Sequence, residues 1–457
     1  MYAHTHESPA LEDPAVQIPQ DPSPVTSKGT VPQREIVQQE GGPQPPPAVK
    51  GDTVEVTAAA PRGVCPFGFG AAASAPTQHD EAPHPTPAKA HVETAPPPVV
   101  LESPHGQGQQ PIPASDWHDP APTSPEKRQA FVDQVSGLQS RLLEAGKVTE
   151  ISRGFHQKQN WGGKATISFD ANMPEGLRKE AFANVAGHNF TAAVRFSNGQ
   201  GCPHKDSKAD VRGMAMKMNI GGQEVDLLAT NHITFARDAD QFMKFAEIAG
   251  TMQADGNLHA IYELVEKIHD GEYSAKETAR IAARLVSDTA RHTRHVGAET
   301  YWTQAVKVGD MTGRFAFTPE SGADAKRGWF PHENYLRDGM EHDLEQHDVK
   351  MKITFEAFTD DAVAHDASVH GDHITFPVGE ITFEKRAKGT AARDLEEQVV
   401  SNMSFNPSHG LRMAGTMNES NRAAIYEASA KNRHATSWDA PEVQAFFGQG
   451  QPPPAAQ

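Results

Sequence analysis

The sequence predicts an α+β fold: an antiparallel β-sheet or barrel with helices between and after its strands, preceded by a long disordered segment. Three observations carry this expectation. Strand-like runs lie on both sides of a long helical stretch. The chain closes on helical periodicity. And 25 of the 35 prolines lie before Lys127.

Residues 1–124 read as disordered. Gly41-Gly42-Pro43-Gln44-Pro45-Pro46-Pro47 and Ala95-Pro96-Pro97-Pro98 favour extended polyproline conformations and offer few side chains for a core. One apolar island, Val64-Cys65-Pro66-Phe67-Gly68-Phe69-Gly70, interrupts this segment. It reads as unstructured chain with a few aromatics, or as a docking peptide. The folded domain is expected over 125–445. It opens on an amphipathic helix at 125–143, with Phe131, Val135, Leu138 and Leu142 at helical spacing. Strands follow at 165–169, 192–196, 214–218 and 225–228, then a helical stretch over 238–288. Strands return at 351–358 and 373–383. Helices are expected at 392–402 and 419–435, and residues 446–457 are a second disordered tail.

Composition narrows the function classes. Apolar content is 37%, and the polar surplus lies mostly in the amino-terminal segment. The remaining 330 or so residues suffice for one large core. No apolar run reaches the ~18 residues of a membrane span. No basic region followed by an apolar stretch opens the chain, so no export signal is expected and the reading is cytoplasmic. Two cysteines, Cys65 and Cys202, cannot build a disulfide framework. A net charge of −17 argues against nucleic acid as a partner, because phosphates would be repelled.

The last helix carries the most informative spacing. Arg422, Tyr426, Ser429 and Arg433 fall at i, i+4, i+7 and i+11, on one face. A neutral phenol, with a pKa of ~10, is a poor metal ligand. An arginine one turn away stabilises the phenolate and makes it a usable anionic ligand. A second arginine further along could hold a carboxylate. Alone, the pattern reads as a surface helix with two solvated arginines and a half-buried tyrosine, and it gains weight only from what lies upstream.

Upstream segments give it context. Arg153-Gly154-Phe155-His156 precedes Gly162-Gly163-Lys164 and a strand. Then come Val194-Arg195-Phe196-Ser197, Asp210-Val211-Arg212-Gly213-Met214-Ala215-Met216-Lys217, Asp226-Leu227-Leu228 and Arg237-Asp238. In this order, over about 147–433, the set resembles the haem catalases, including the shorter catalase-related peroxidases. The resemblance implies a catalase-like antiparallel β-barrel with flanking and carboxy-terminal helices, and haem b as cofactor. By position, His156 corresponds to the distal histidine and Ser197 to the serine that orients it. Arg153, Arg195 and Arg433 correspond to the propionate-binding arginines. Tyr426 corresponds to the iron ligand, Arg422 to the arginine that polarises it, and Asp210 to the aspartate of the peroxide channel. Phe242 falls where the family stacks a phenylalanine on haem, with core packing as the alternative; Phe245 reads as core.

Departures from the family pattern shape the functional expectation. Gln157-Lys158-Gln159-Asn160-Trp161 replaces a small, glycine-rich run. Phe155 stands where a small residue is usual, and its ring would narrow the pocket. For the distal asparagine, ungapped counting from Asp226 reaches Thr230, but Asn231 is favoured because an amide both donates and accepts. The expected function is haem-dependent breakdown of hydrogen peroxide or organic peroxides, with peroxidase turnover above catalase turnover and an organic electron donor as co-substrate. Two alternatives stand beside it: a fatty-acid hydroperoxide lyase of the allene oxide synthase type, and a weakened haem-binding scaffold. The missing central and carboxy-terminal elaborations leave no ground for the family's arm-exchanged tetramer, although a homo-oligomer is compatible. The proline-rich segment reads as a recruiter of a protein partner, and Cys65-Pro66 as a candidate haem contact.

Overall fold

The computed structural model describes residues 110–289, 293–320 and 332–448. The apolar island with Cys65, most of the proline-rich segment and residues 449–457 lie outside them. In chain order the strands are β1 (Gln159–Phe169), β2 (Asn189–Asn198), β3 (Arg212–Ile220), β4 (Gln223–Thr230), β5 (Tyr301–Thr303), β6 (Val306–Val308), β7 (Met311–Pro319), β8 (Val349–Phe358), β9 (His373–Phe383) and β10 (Arg412–Met413). The helices are α1 (Pro125–Glu144), α2 (Ala239–Ala254), α3 (Asn257–His269), α4 (Ala275–Thr289), α5 (Tyr335–Gln346), α6 (Ala362–His365), α7 (Ala391–Asn402), α8 (Glu419–Asn432) and α9 (Pro441–Phe447).

The strands form the expected antiparallel barrel. Pairing runs β7–β5–β4–β3–β2–β1–β9–β8, and β8 pairs back onto β7, so the sheet closes with eight strands. β5 and β6 share one edge of β7, opposite its two ends, and β10 extends β6. Closure removes the exposed edges that an open sheet would leave. Alternate residues fill the interior: Val194 and Phe196 from β2, Met214, Met216 and Met218 from β3, and Phe315, Phe317 and Phe355 from β7 and β8. Period two then sends Ala193, Arg195 and Ser197, and Gly213, Ala215 and Lys217, to the outer face. The outer face of β2–β4 is therefore where chemistry can sit.

Two boundaries differ from expectation. Residues 110–124 are not part of the disordered segment. The Ile112 and Ala114 amides donate to Phe358 O and Asp310 O, each at 2.8 Å, and Trp117 is buried against Phe358. Ser124 then caps α1, accepting from the Lys127 amide, with Pro125 in the first turn. At the other end, α9 runs to Phe447 with Val443 and Phe446 buried, so the folded domain continues past 445. Composition alone could not see this, because one tryptophan and two main-chain bonds anchor an otherwise polar segment. Removing residues 1–124 should therefore lower the melting temperature below that of a chain lacking only 1–109. Loss of a buried tryptophan costs ~3–5 kcal/mol, so roughly 5 °C or more is expected by calorimetry.

The helical stretch at 238–288 breaks into three helices. Gly256 (φ 101°) and Gly271 (φ 77°) supply the left-handed turns. Asp238 caps α2, its carboxylate accepting from the Gln241 amide. Among the described residues no helix is long and apolar enough to cross a membrane.

Candidate functional site

A cavity of about 670 Å³ lies between the outer face of β2–β4 and helices α1, α2, α4 and α8. It gathers most of the residues singled out from the sequence. One wall carries Arg153, Phe155, His156, Arg195 and Ser197; another carries Arg422, Tyr426, Ser429 and Arg433; Phe242 comes from α2. The four residues spaced along the last helix thus share the cavity, with Arg433 just beyond the last turn of α8.

His156 precedes β1 in a left-handed conformation, φ 58°, a backbone state uncommon for a residue with a Cβ and concentrated at functional sites. Its amide donates to Gly199 O at 2.8 Å, and its carbonyl accepts from Arg195 Nη2 at 2.9 Å. The ring lies against Gly213 of β3. A Cβ on Gly213 would sit 2.5 Å from His156 Nδ1 and 2.6 Å from Cε1, so only glycine admits the imidazole there. Nδ1 is 3.1 Å from Ser197 Oγ. Ser197, Gly213 and Thr230 are register partners across β2, β3 and β4, a polar row behind the ring. Burial, against a weaker upward pull from Asp210, lowers the His156 pKa to about 4. The imidazole is neutral near pH 7 and can accept a proton.

The polar run after His156 does not enter the cavity. Gln157 Oε1 accepts from the Arg153 amide at 3.0 Å, Lys158 Nζ meets Asp206 at 2.8 Å, and Asn160 Nδ2 donates to the same carboxylate at 2.9 Å. The β1–β2 register slips between Gln159 and Trp161, a bulge that re-aims the chain beside the site. Phe155 does face the cavity, packed edge-on against Phe242 with ring centres 6.0 Å apart.

Asn231 is a correction. Its Oδ1 accepts from the Arg212 amide at 2.9 Å, and its Nδ2 donates to Glu299 Oε2 at 3.1 Å. Along β4, Val225, Leu227 and Ala229 point into the barrel, which leaves Thr230 on the cavity side. Asn231 falls on the opposite parity, and the cavity is lined here by Thr230 and His232. Period two in β4 was the signal that could have shown this. His232, a second histidine near enough to His156 to depress its protonation, was not singled out from the sequence.

On the α8 wall, Arg422 Nη2 donates to Tyr426 Oη at 3.0 Å. The phenol oxygen therefore accepts a hydrogen bond from a guanidinium. Tyr273 also lines the cavity but is wired oppositely. Its hydroxyl donates to Glu247 Oε2 at 2.8 Å, and burial together with that carboxylate pushes its pKa well above the ordinary value.

Three guanidiniums converge nearby. Arg153 Nη2 donates to the Ser401 and Met403 carbonyls at 2.9 and 3.0 Å, and Arg433 Nη2 to Met403 O at 2.9 Å. Arg195 spends Nη2 on the His156 and Gln157 carbonyls and leaves a buried Nε without a partner. Among the described residues none of the three pairs with a carboxylate. Burial, joined by mutual repulsion, lowers the pKa of Arg195 to about 9; burial lowers that of Arg433 to about 10, and Arg153 is lowered too. This is a buried positive cluster whose charge no carboxylate among the described residues offsets.

One helix spans the two walls. In α1, Gln139 Nε2 donates to Ser152 O at 2.6 Å and to Ser429 O at 3.3 Å, while Oε1 accepts from Asn432 Nδ2 at 3.2 Å. Two other clusters have metal-ligand chemistry, Glu356–His370–His373 and Glu224–Asp226–His409. Arg314 offsets the one carboxylate of the first; in the second, Lys217 offsets one charge and His409, its pKa raised to about 9 by Asp226 and Glu224, the other.

Fold and cavity together define a closed antiparallel barrel with an external, arginine-rich site between an imidazole and an arginine-bound phenol. No family model matches the chain, and no curated protein matches it. Among solved structures the chain is similar to a fungal catalase, with 14% identity and a TM-score of 0.48 over 68% of this chain and 65% of that one. It is also similar to catalase A from Saccharomyces cerevisiae, with 13% identity and a TM-score of 0.45 over 75% of this chain and 72% of that one. A bacterial catalase gives 14% and 0.42, over 78% and 73%. The chain thus spans 65% of the length of the fungal catalase.

Proposed function

We propose that this chain is a haem-dependent enzyme that breaks down hydrogen peroxide or organic peroxides. The observation that carries the reading is the Arg422–Tyr426 hydrogen bond in the cavity that His156 also lines. The residues fit haem b. Tyr426 Oη, which accepts from Arg422, would hold the iron. The three arginines without carboxylate partners, with the orphaned Arg195 Nε, supply what two propionates need. When bound, the cofactor would supply the redox chemistry of peroxide cleavage.

The chain's own groups handle the proton. With Nδ1–H donated to Ser197 Oγ, His156 Nε2 keeps the lone pair that takes a proton from peroxide and returns it to the departing oxygen. Gly213 gives the ring its place, and Arg195 fixes its main chain. Phe155 narrows the approach, so turnover with an organic donor should exceed oxygen release.

Full-length protein reconstituted with haemin should give a high-spin ferric tyrosinate spectrum and consume peroxide. Absence of a Soret band would remove this reading. Parallel incubation with hydrogen peroxide and a lipid hydroperoxide separates peroxidase from lyase chemistry by product.

A further inference from the structure

Helix α3 is apolar over more of its circumference than the domain covers. At 3.6 residues per turn its apolar side chains occupy a continuous arc about 200° wide, twice what a surface helix needs to face a core. The inner half is packed. Ala260 is buried with Ile248 and Tyr273, and Leu264 and Ile268 lie against them. The outer half is bare: Leu258, Tyr262 and Val265, at i, i+4 and i+7, are 83%, 68% and 60% exposed. Three of the four large apolar side chains most exposed among the described residues therefore share one helix face. The peroxide chemistry proposed above makes no use of it.

Size and charge narrow what covers this face. Three side chains present a few hundred Å², short of the ~800 Å² per partner that a stable protein interface buries. Glu263 and Glu266 border the face, and Lys267 is already held by Glu247 and Glu272, so an anionic lipid surface would be repelled. A short, uncharged, apolar segment fits both limits, and the chain carries one. Residues 63–78 include no charged side chain, and Phe67 and Phe69 are the only phenylalanines before residue 110. With Val64 they offer three apolar anchors, matching the three on α3. The 39 residues from 71 to 109 join this segment to the domain. At ~3.3 Å per residue they span up to ~130 Å. A domain of about 330 residues is only ~50 Å across, so every face lies within reach.

We propose that the apolar segment 64–70 docks on the Leu258–Tyr262–Val265 face of α3 in the same chain. Sharing a chain is what makes so small a contact sufficient. A tether of this kind holds the segment at an effective concentration of about 1 mM, so a dissociation constant of ~0.1 mM already leaves it docked about ten to one. The docked segment closes the outer half of the apolar arc. The inner half of the same helix contributes Leu264 to the cavity wall, so the contact backs that wall from outside.

Cys65 lies inside the segment and reports on it. In full-length chain carrying Cys202→Ala it is the single thiol, and its rate with a thiol reagent is measured. Adding Leu258→Glu and Tyr262→Glu should raise that rate about tenfold, to the rate of a chain carrying Phe67→Ser and Phe69→Ser instead. Equal rates in all three chains overturn the proposal, as does protection that the α3 substitutions leave untouched. Protection that grows with protein concentration between about 1 and 100 µM would put the segment on a second copy and overturn the same-chain contact. Protection seen only with phosphatidylglycerol vesicles would give the face to lipid, with the same consequence. Should the glutamate variant fail to fold by circular dichroism, cross-linking decides. Under mild oxidation Tyr262→Cys should form an intrachain disulfide with Cys65 at least fivefold faster than Leu395→Cys, at an exposed position on α7; equal rates overturn the proposal. Neither assay needs haem, so their failure and the failure of the peroxide reading are separate results.

Discussion

Tyr426→Phe protein is expected to emerge from haemin reconstitution without bound haem, or with a spectrum that no longer has tyrosinate character. The substitution removes one oxygen and leaves the ring, so packing on α8 is preserved and the fold should be intact by circular dichroism. The lost oxygen is the one that Arg422 holds at 3.0 Å. Tyr273, the other phenol in the cavity, cannot replace it, because Glu247 and burial hold that hydroxyl in its protonated form. Unchanged haem content and an unchanged spectrum would sink the assignment of Tyr426 as ligand. Absorbance across the Soret and visible bands, on matched protein concentrations, reads the result.

The second large effect is at His156. The alanine variant should keep haem, since neither the phenol nor the arginine cluster is touched, yet lose roughly 10²–10⁴-fold in peroxide turnover, the usual contribution of a positioned base. The pH profile gives an independent check. The wild-type base is charged only below about pH 4, so activity should hold from neutral pH down to about 5 and fall beneath it, rather than near the 6.5 of an ordinary imidazole. Stability follows the same group. Folding lowers this pKa, so the unfolded chain binds the proton first, and the folded state loses stability as pH drops from 6.5 through about 4. An acid limb near 6.5, or an alanine variant of near-normal turnover, would remove His156 from the proton transfer.

What the sequence disclosed depended on how local each signal was. The α8 face was legible because spacing along one helix determines which residues share a side. β1–β4, β8 and β9 were legible from their runs of apolar and β-branched residues. The strands that close the barrel were not. β5 and β6 have three residues each, too few for a period-two pattern to stand out. β7 carries Gly313 and Arg314 in its first half, and the glycine is there because a Cβ would lie 2.2 Å from Glu356 O. That requirement belongs to a partner strand some forty residues away. α5 was missed as well, its mostly polar run hiding the buried Leu336, Met340 and Leu344. Asn231 was misplaced by weighing side-chain chemistry above strand parity, although parity was present in the sequence.

The bridging amide on α1 has a mechanical corollary. The imidazole wall and the phenol wall belong to segments about 270 residues apart, and one side chain, Gln139, donates to a carbonyl of each. One contact between the two walls thus runs through a residue that touches neither ring. A shorter or apolar side chain there would let the jaws drift independently while every named group kept its own chemistry.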